Sequence, residues 1–244
     1  MARRGLFHPA NRLRPLVAWR SMRTLLANPE ATGEVFRIIE ALKGGSIPRA
    51  VERLRGQPGG RELLARRPSL LPALGDRAAL AALPAGSLGR AYLDFVSCEN
   101  LSADGLVAAS EEAPRAAWAQ HLEPEERWLA DRLRDIHDLQ HVLTGYGRDE
   151  LGELCLLEFM TTQTPNRGIS FIVFMGRRRF RKRAPELCVD ALVAEGREIA
   201  RNARWLPAVA WETRLGEPLE ALRSELGLRS PAAYLAASVR SCAA

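Results

Sequence analysis

The chain is expected to fold as an all-α protein. Ala, Leu and Arg, all good helix formers, dominate its 244 residues, and aromatic residues make up only 6%. Apolar residues recur at helical spacing between Pro and Gly breaks, and alternating Val/Ile/Thr runs of the strand type are almost absent. With 47% hydrophobic and 26% charged residues, the composition is that of an ordinary globular chain long enough to bury a core of its own. No internal repeat and no long linker divides it, so the expected architecture is a single-domain multi-helix bundle.

The elements follow in order. Arg3, Arg4, Arg12, Arg14, Arg20 and Arg23 all precede the first acid, Glu30, while Leu13, Leu16, Val17, Met22, Leu25 and Leu26 trace an amphipathic helix. A secretory leader would need an apolar stretch that is missing. A mitochondrial presequence would also be basic and poor in acids, but this segment already reads as folded helix, so a bacterial cytoplasm is expected. Asn28-Pro29-Glu30 supplies an N-cap, a proline and an acidic first turn to a helix carrying Val35, Phe36, Ile38, Ile39 and Leu42, which Gly44-Gly45 stops. Shorter helices are expected at about 47–55, 59–66, 76–82 and 86–98, and Ser102 is a candidate cap for another. Pro124-Glu125-Glu126 opens a long central helix running to about 141–144, and its partner runs over about 149–160. An apolar segment, Ile169–Met175, and a basic run, Arg177–Arg183, come next, followed by helices at about 185–203 and 217–226 and a tail after Pro231.

The centre of the chain carries its chemistry. Two of the four histidines, His137 and His141, lie one helical turn apart, and Asp138 follows the first. At about 100° per residue, His141 falls about 40° and Asp138 about 100° from His137, so one face presents two imidazoles and a carboxylate. Gly145-Tyr146-Gly147 ends the helix, Asp149 is a strong N-cap for the next, and Glu153 projects from that helix's first turn. Antiparallel packing across this glycine turn can return Glu153 over the histidine pair. A metal site between two adjacent antiparallel helices is therefore the candidate, with His137, His141 and Glu153 as ligands. Asp138 is either a fourth ligand or an acid/base group beside the ion.

Three familiar patterns do not fit. A zinc-protease helix has Glu where Asp138 stands, phosphohydrolases with a His-Asp pair require a further distant His, and di-iron bundles need Glu three residues before each His. Imidazole and carboxylate donors suit one divalent zinc, iron or manganese ion, with the identity open. Arg134, three residues before His137, projects to about 60° on the same face if the helix is continuous. There it would either hold a substrate carboxylate or compensate the charge of Asp138 or Glu153.

The run His137-Asp138-x-x-His141 followed by Glu153 resembles the signature of the ubiquinone (coenzyme Q) biosynthesis family called Coq-four. The resemblance extends to Gly59-Gly60-Arg61-Glu62-Leu63-Leu64 with Arg67-Pro68, to Leu83-Pro84 through Gly86, Gly89, Tyr92 and Phe95, to Arg132 and Arg134, to Leu151-Gly152, and to Gln163-Thr164. It implies a helical domain over 28–235, a basic N-terminal segment 1–27 and a short tail 236–244. It further implies a prenylated quinone precursor as substrate, whose C1 carboxyl is removed and replaced by hydroxyl, and other ubiquinone-biosynthesis enzymes as partners. On that reading Asp138 and Arg134 are catalytic. The alternative is a scaffold that binds metal and prenyl lipid without catalysing a reaction and organises those enzymes. A homodimer is compatible with either.

Arg177, Arg178, Arg179, Arg181, Lys182 and Arg183 place six cations in seven residues behind an apolar segment, a pattern suited to anionic lipid headgroups. Peripheral association with the inner membrane is expected, on the matrix side if the protein is mitochondrial. Leu133, Leu143 and Phe159 are candidate linings for a prenyl tail. A pI near 9.7 also suits nucleic acid, but no stacking aromatics interleave the cations and no reader motif is present, so no nucleic-acid partner is expected. The four cysteines show no paired spacing, which suits a reducing compartment.

Overall fold

A computed structural model describes residues 12–28, 31–98 and 122–242, and among them the protein is all-helical, as expected. The first half contains α1 (Pro15–Ala27), α2 (Thr32–Leu42), α3 (Ser46–Arg55), α4 (Gly60–Arg66), α5 (Leu71–Gly75), α6 (Arg77–Ala82) and α7 (Leu88–Cys98). The second contains α8 (Pro124–Asp135), α9 (His137–Thr144), α10 (Glu150–Gln163), α11 (Arg167–Arg183), α12 (Val189–Asn202), α13 (Leu219–Leu226) and α14 (Ala232–Cys242). Expected features at Pro29-Glu30 and Ser102, and the remaining histidines His8 and His121, lie outside the described residues.

Local chemistry sets the boundaries. Glu123 and Glu126 form a reciprocal capping box at the start of α8, with Pro124 in the first turn. The Asp149 side chain accepts the N–H groups of Leu151 and Gly152 to start α10, and Asn166 does the same for Gly168 and Ile169 at the start of α11. Gly145, at φ 81°, closes α9 in the left-handed conformation that glycine tolerates best.

Four expectations change. First, Asn28 closes α1 instead of capping α2, which starts at Thr32. Second, the central helix is two helices: Ile136 (φ −82°, ψ −1°) leaves the helical screw and offers its N–H to the carbonyls of Arg132 and Arg134. His137 thus starts a new helix. Third, the apolar segment and the basic run are one continuous helix, α11. Its first half buries Ile169, Ile172 and Val173, and its second carries the cations. Fourth, the segment after Pro231 is helical.

The main core joins α5–α7 to α9–α14 around Tyr92, Ile136, Leu139, Phe159 and Trp211. A second cluster lies between α3, α4 and α8, and a third packs Ala18 and Met22 of α1 against Ile38 of α2 and Ile172 of α11. Helix α10, buried along much of its length, packs on both α11 and α12. Arg132, almost wholly buried, ties α8 to the following irregular segment through the carbonyls of Pro207 and Val209 and the carboxylate of Glu212. Helix α11 approaches α2 at Gly168, where an added Cβ would lie 2.5 Å from the Ile39 Cα and 2.9 Å from the Ile38 carbonyl oxygen. Gly168→Ala should therefore destabilise the fold by about 1–3 kcal/mol in urea unfolding. Unchanged stability would show that α2 and α11 do not pack this closely.

Candidate metal centre

The break at Ile136 and the cap at Asp149 fix the two helices that carry the site. Arg223 of α13 donates to the carbonyls of Leu143 (3.0 Å) and Val142 (2.7 Å), holding the C-terminal end of α9. In the turn to α10, the Tyr234 hydroxyl of α14 accepts the Gly147 N–H at 3.0 Å and donates to Asp149. An added Cβ at Gly152 would lie 2.2 Å from the Gly147 carbonyl oxygen, so turn and helix meet without room for a side chain.

His141 is 1% exposed. Its Nδ1–H donates to the Tyr146 carbonyl at 2.9 Å, which fixes the tautomer and leaves Nε2 as a bare acceptor. That Nε2 is buried, has no hydrogen-bond partner, and faces the Glu153 carboxylate at 3.5 Å. His137 repeats the arrangement: its Nδ1–H donates to Asp138 at 3.0 Å, and its Nε2 lies 3.6 Å from Glu153. The rings meet edge to face at 4.9 Å, and Phe95 of α7 stacks on His141 at 5.3 Å.

These residues can hold a metal ion. His137, Asp138 and His141 each offer a ligand atom within 4.8 Å of the others, and Glu153 faces both imidazoles from α10. Tetrahedral bonds of about 2.1 Å place donor atoms about 3.4 Å apart, close to the separations between each Nε2 and Glu153. The orphaned Nε2 of His141 supplies the physical argument: a buried acceptor with its other nitrogen anchored on a carbonyl is poised to coordinate. Asp138 stands behind His137, oriented to raise its basicity.

Arg134 differs from expectation. It bonds Asp135 at 2.7 Å and approaches Asp131 at 3.6 Å; its partner is neither Asp138 nor Glu153. The turn at Ile136 interrupts the helix on which the predicted alignment depended. Arg134 nonetheless lines a cavity of about 440 Å³ with His137, Asp138 and Glu153 at its polar side. Apolar walls come from α1 (Met22, Leu25, Leu26), α2 (Val35, Phe36, Ile39) and the facing sides of α10 and α11. Leu133 belongs to this lining. Leu143 and Phe159 do not; they are sealed in the main core. Sequence reasoning missed the walls given by α1 and α2, the Phe95 stack and the cavity-lining Arg148. The amphipathic spacing of α1 and α2 signals a buried face without saying that the face borders a cavity.

Four of the six cations of the basic run are paired, two on each of two carboxylates, so the run stays strongly positive. Arg177 and Arg181 share Asp190, and Arg179 and Arg183 share Glu150. Arg178 and Lys182 are exposed.

Fold and site together define an all-helical protein with a candidate two-histidine, carboxylate metal centre opening on an apolar cavity. The model of the family described as coenzyme Q (ubiquinone) biosynthesis protein Coq4 matches residues 9–232, and the chain belongs to that family. It is 31% identical over 181 residues to the mitochondrial ubiquinone biosynthesis protein COQ4 homolog of Bos taurus, and 30% identical over 181 residues to that of Homo sapiens. Each match covers 74% of this chain and 64% of the relative, so the chain spans just under two thirds of the relatives' length. The crystal structure of a candidate ubiquinone biosynthesis protein from Nostoc punctiforme shares the fold, with a TM-score of 0.66 at 20% identity over 89% of this chain and 100% of that one.

The site's electrostatics give a pH dependence. Burial alone would discharge His137, but the nearby Glu153 charge and the hydrogen bond to Asp138 outweigh it and lift the pKa from 6.5 to about 10. Burial raises the pKa of Glu153, yet the His137 charge beside it holds it well below the usual carboxylate range. In metal-free protein the charged His137 stabilises the fold fully below pH 6.5, and that contribution fades as pH rises through about 10. The Glu153 contribution is present above pH 4.5 and is lost in acid. A bound cation must displace the His137 proton. Divalent-metal affinity should therefore rise about tenfold per pH unit between about pH 6.5 and 9.5. Calorimetry in buffers of different ionisation heat should show about one proton released per ion. Metal binding without proton release would exclude His137 as a ligand.

Proposed function

We propose that this protein acts in ubiquinone biosynthesis, where it removes the C1 carboxyl from the head group of a polyprenylated hydroxybenzoate and leaves a hydroxyl in its place. The observation that carries this reading is the junction of a cluster able to hold a metal ion (His137, Asp138 and His141, faced by Glu153) with an apolar cavity: one end is suited to head-group chemistry, the other to a prenyl chain. His137, His141 and Glu153 would hold one zinc, iron or manganese ion, which would supply Lewis-acid or redox chemistry at the ring. Replacing carboxyl by hydroxyl releases CO2 and is a two-electron oxidation, so the reaction needs an added oxidant such as dioxygen to supply the oxygen atom and take the electrons. Asp138 orients His137 and is the acid/base group nearest the ion. Arg134, held by Asp135, contributes a fixed positive charge at the cavity wall.

The lipid substrate implies work at a membrane surface, and other enzymes of the pathway are the expected partners. No helix among the described residues is long and apolar enough to cross a membrane. Helix α1 turns Leu16 (73% exposed) and Trp19 (50%) outward beside Arg20 and Arg23, while Met22, Leu25 and Leu26 line the cavity from its other side. This pattern of Leu, Trp and Arg suits the headgroup layer, and the exposed Arg178 and Lys182 would add attraction to anionic lipid. The site of action would be the inner membrane, on its cytoplasmic face in a bacterium or its matrix face in a mitochondrion.

The test is conversion of a farnesylated hydroxybenzoate by metal-loaded protein, followed by mass spectrometry. Asp138→Asn should keep the fold and the ion while turnover falls by about 10²–10⁴. Undiminished pathway activity in cells carrying Asp138→Asn, with no turnover by purified native protein, would favour the scaffold reading.

A further inference from the structure

Arg148 lies in the turn between the helix that bears His137 and His141 and the helix that bears Glu153, one residue before the Asp149 cap. Both flanks of this turn are pinned. On one side the Tyr146 carbonyl accepts from His141 and the Gly147 N–H bonds Tyr234; on the other Asp149 caps α10 and accepts from Tyr234. The backbone of Arg148 is thus held by the same contacts that orient the metal ligands.

Its side chain lines the cavity. Its Nε is buried without a hydrogen-bond partner, and no ion pair joins Arg148 to any carboxylate among the described residues. The other cavity arginines contrast with it: Arg134 is bonded to Asp135, and Arg179 donates to the Leu26 carbonyl at 3.1 Å and approaches Glu150 at 3.8 Å. A guanidinium Nε buried without an acceptor is costly until one joins it, and the planar fork, its terminal nitrogens open to the cavity, matches a carboxylate. The cavity's apolar walls favour an anion that carries a hydrocarbon chain.

We propose that Arg148 is the anion-binding subsite of the cavity and takes the carboxylate of an amphiphilic ligand whose hydrocarbon chain lies between α1, α2 and α11. This rests on the lipid-substrate reading above and adds to it the residue that selects carboxylated over decarboxylated head groups. Loss of the carboxyl would remove the ligand's bond to Arg148 and favour release.

The experiment measures binding of two amphiphiles to the full chain: 3-farnesyl-4-hydroxybenzoate, and 2-farnesylphenol, which lacks only the carboxyl. Native protein should prefer the carboxylated compound by roughly tenfold to a hundredfold. Arg148→Gln should bring its affinity down to that of the phenol and leave the phenol's own affinity unchanged. Arg148→Lys, which keeps the charge without the fork, should fall between them, and melting curves of both variants establish that they fold. Equal binding of the two amphiphiles by native protein, or a preference that survives Arg148→Gln in folded protein, would overturn the Arg148 assignment alone. Failure of both amphiphiles to bind native protein would overturn the lipid reading and the subsite with it.

Discussion

His141 is sealed inside the protein with one imidazole nitrogen tied to the Tyr146 carbonyl, and this single hydrogen bond conditions everything around it. It settles which nitrogen carries the proton, so the other is a buried bare acceptor. A buried polar atom left in this way needs a partner, and the Glu153 carboxylate faces it from 3.5 Å. Two like acceptors do not bond each other; a proton or a cation must sit between them. The tight turn, the Tyr234 clamp and the Asp149 cap all hold this geometry, and His137 repeats it with Asp138 in place of the carbonyl.

The site matters because of where it opens. Helices α1, α2, α10 and α11 surround a cavity with apolar walls, and His137, Asp138 and Glu153 form its polar side. The outward face of α1 is suited to a lipid surface and its inward face to a lipid chain. A single helix therefore separates the proposed membrane contact from the cavity. The positive charges nearby have different tasks. Arg132 is buried structure; Arg134 is held by its own aspartates; four of the α11 arginines share Asp190 and Glu150 and leave that helix positive; Arg148 alone of the cavity arginines keeps its Nε buried and unbonded.

What the sequence made legible was local. His137 and His141 share a helix face by spacing, Gly145 must end their helix, and Asp149 must begin the next, so the return of Glu153 follows from a few residues of chain. The helical class was equally plain from composition and apolar spacing. Features that depend on distant partners were hidden. Nothing near Ile136 announces that the central helix breaks there, or that Arg134 pairs with Asp135 while lining the same cavity as His137 and Glu153. The basic run looked like a free cationic face because Glu150 lies 33 residues before Arg183, and Asp190 lies 13 residues after Arg177. Leu143 and Phe159 have the same periodicity as Leu133, yet only the last borders the cavity. Whether an arginine is paired, as for Arg148, is a property of the folded surroundings and leaves no mark in spacing.

The central claim is that His137, His141 and Glu153 hold one divalent ion, and metal analysis of protein purified without added metal or chelator tests it most directly. Native protein should carry about one equivalent of zinc, iron or manganese, and folded His137→Ala should carry none. No metal in native protein, even after anaerobic reconstitution, or equal metal in both proteins, would contradict the account.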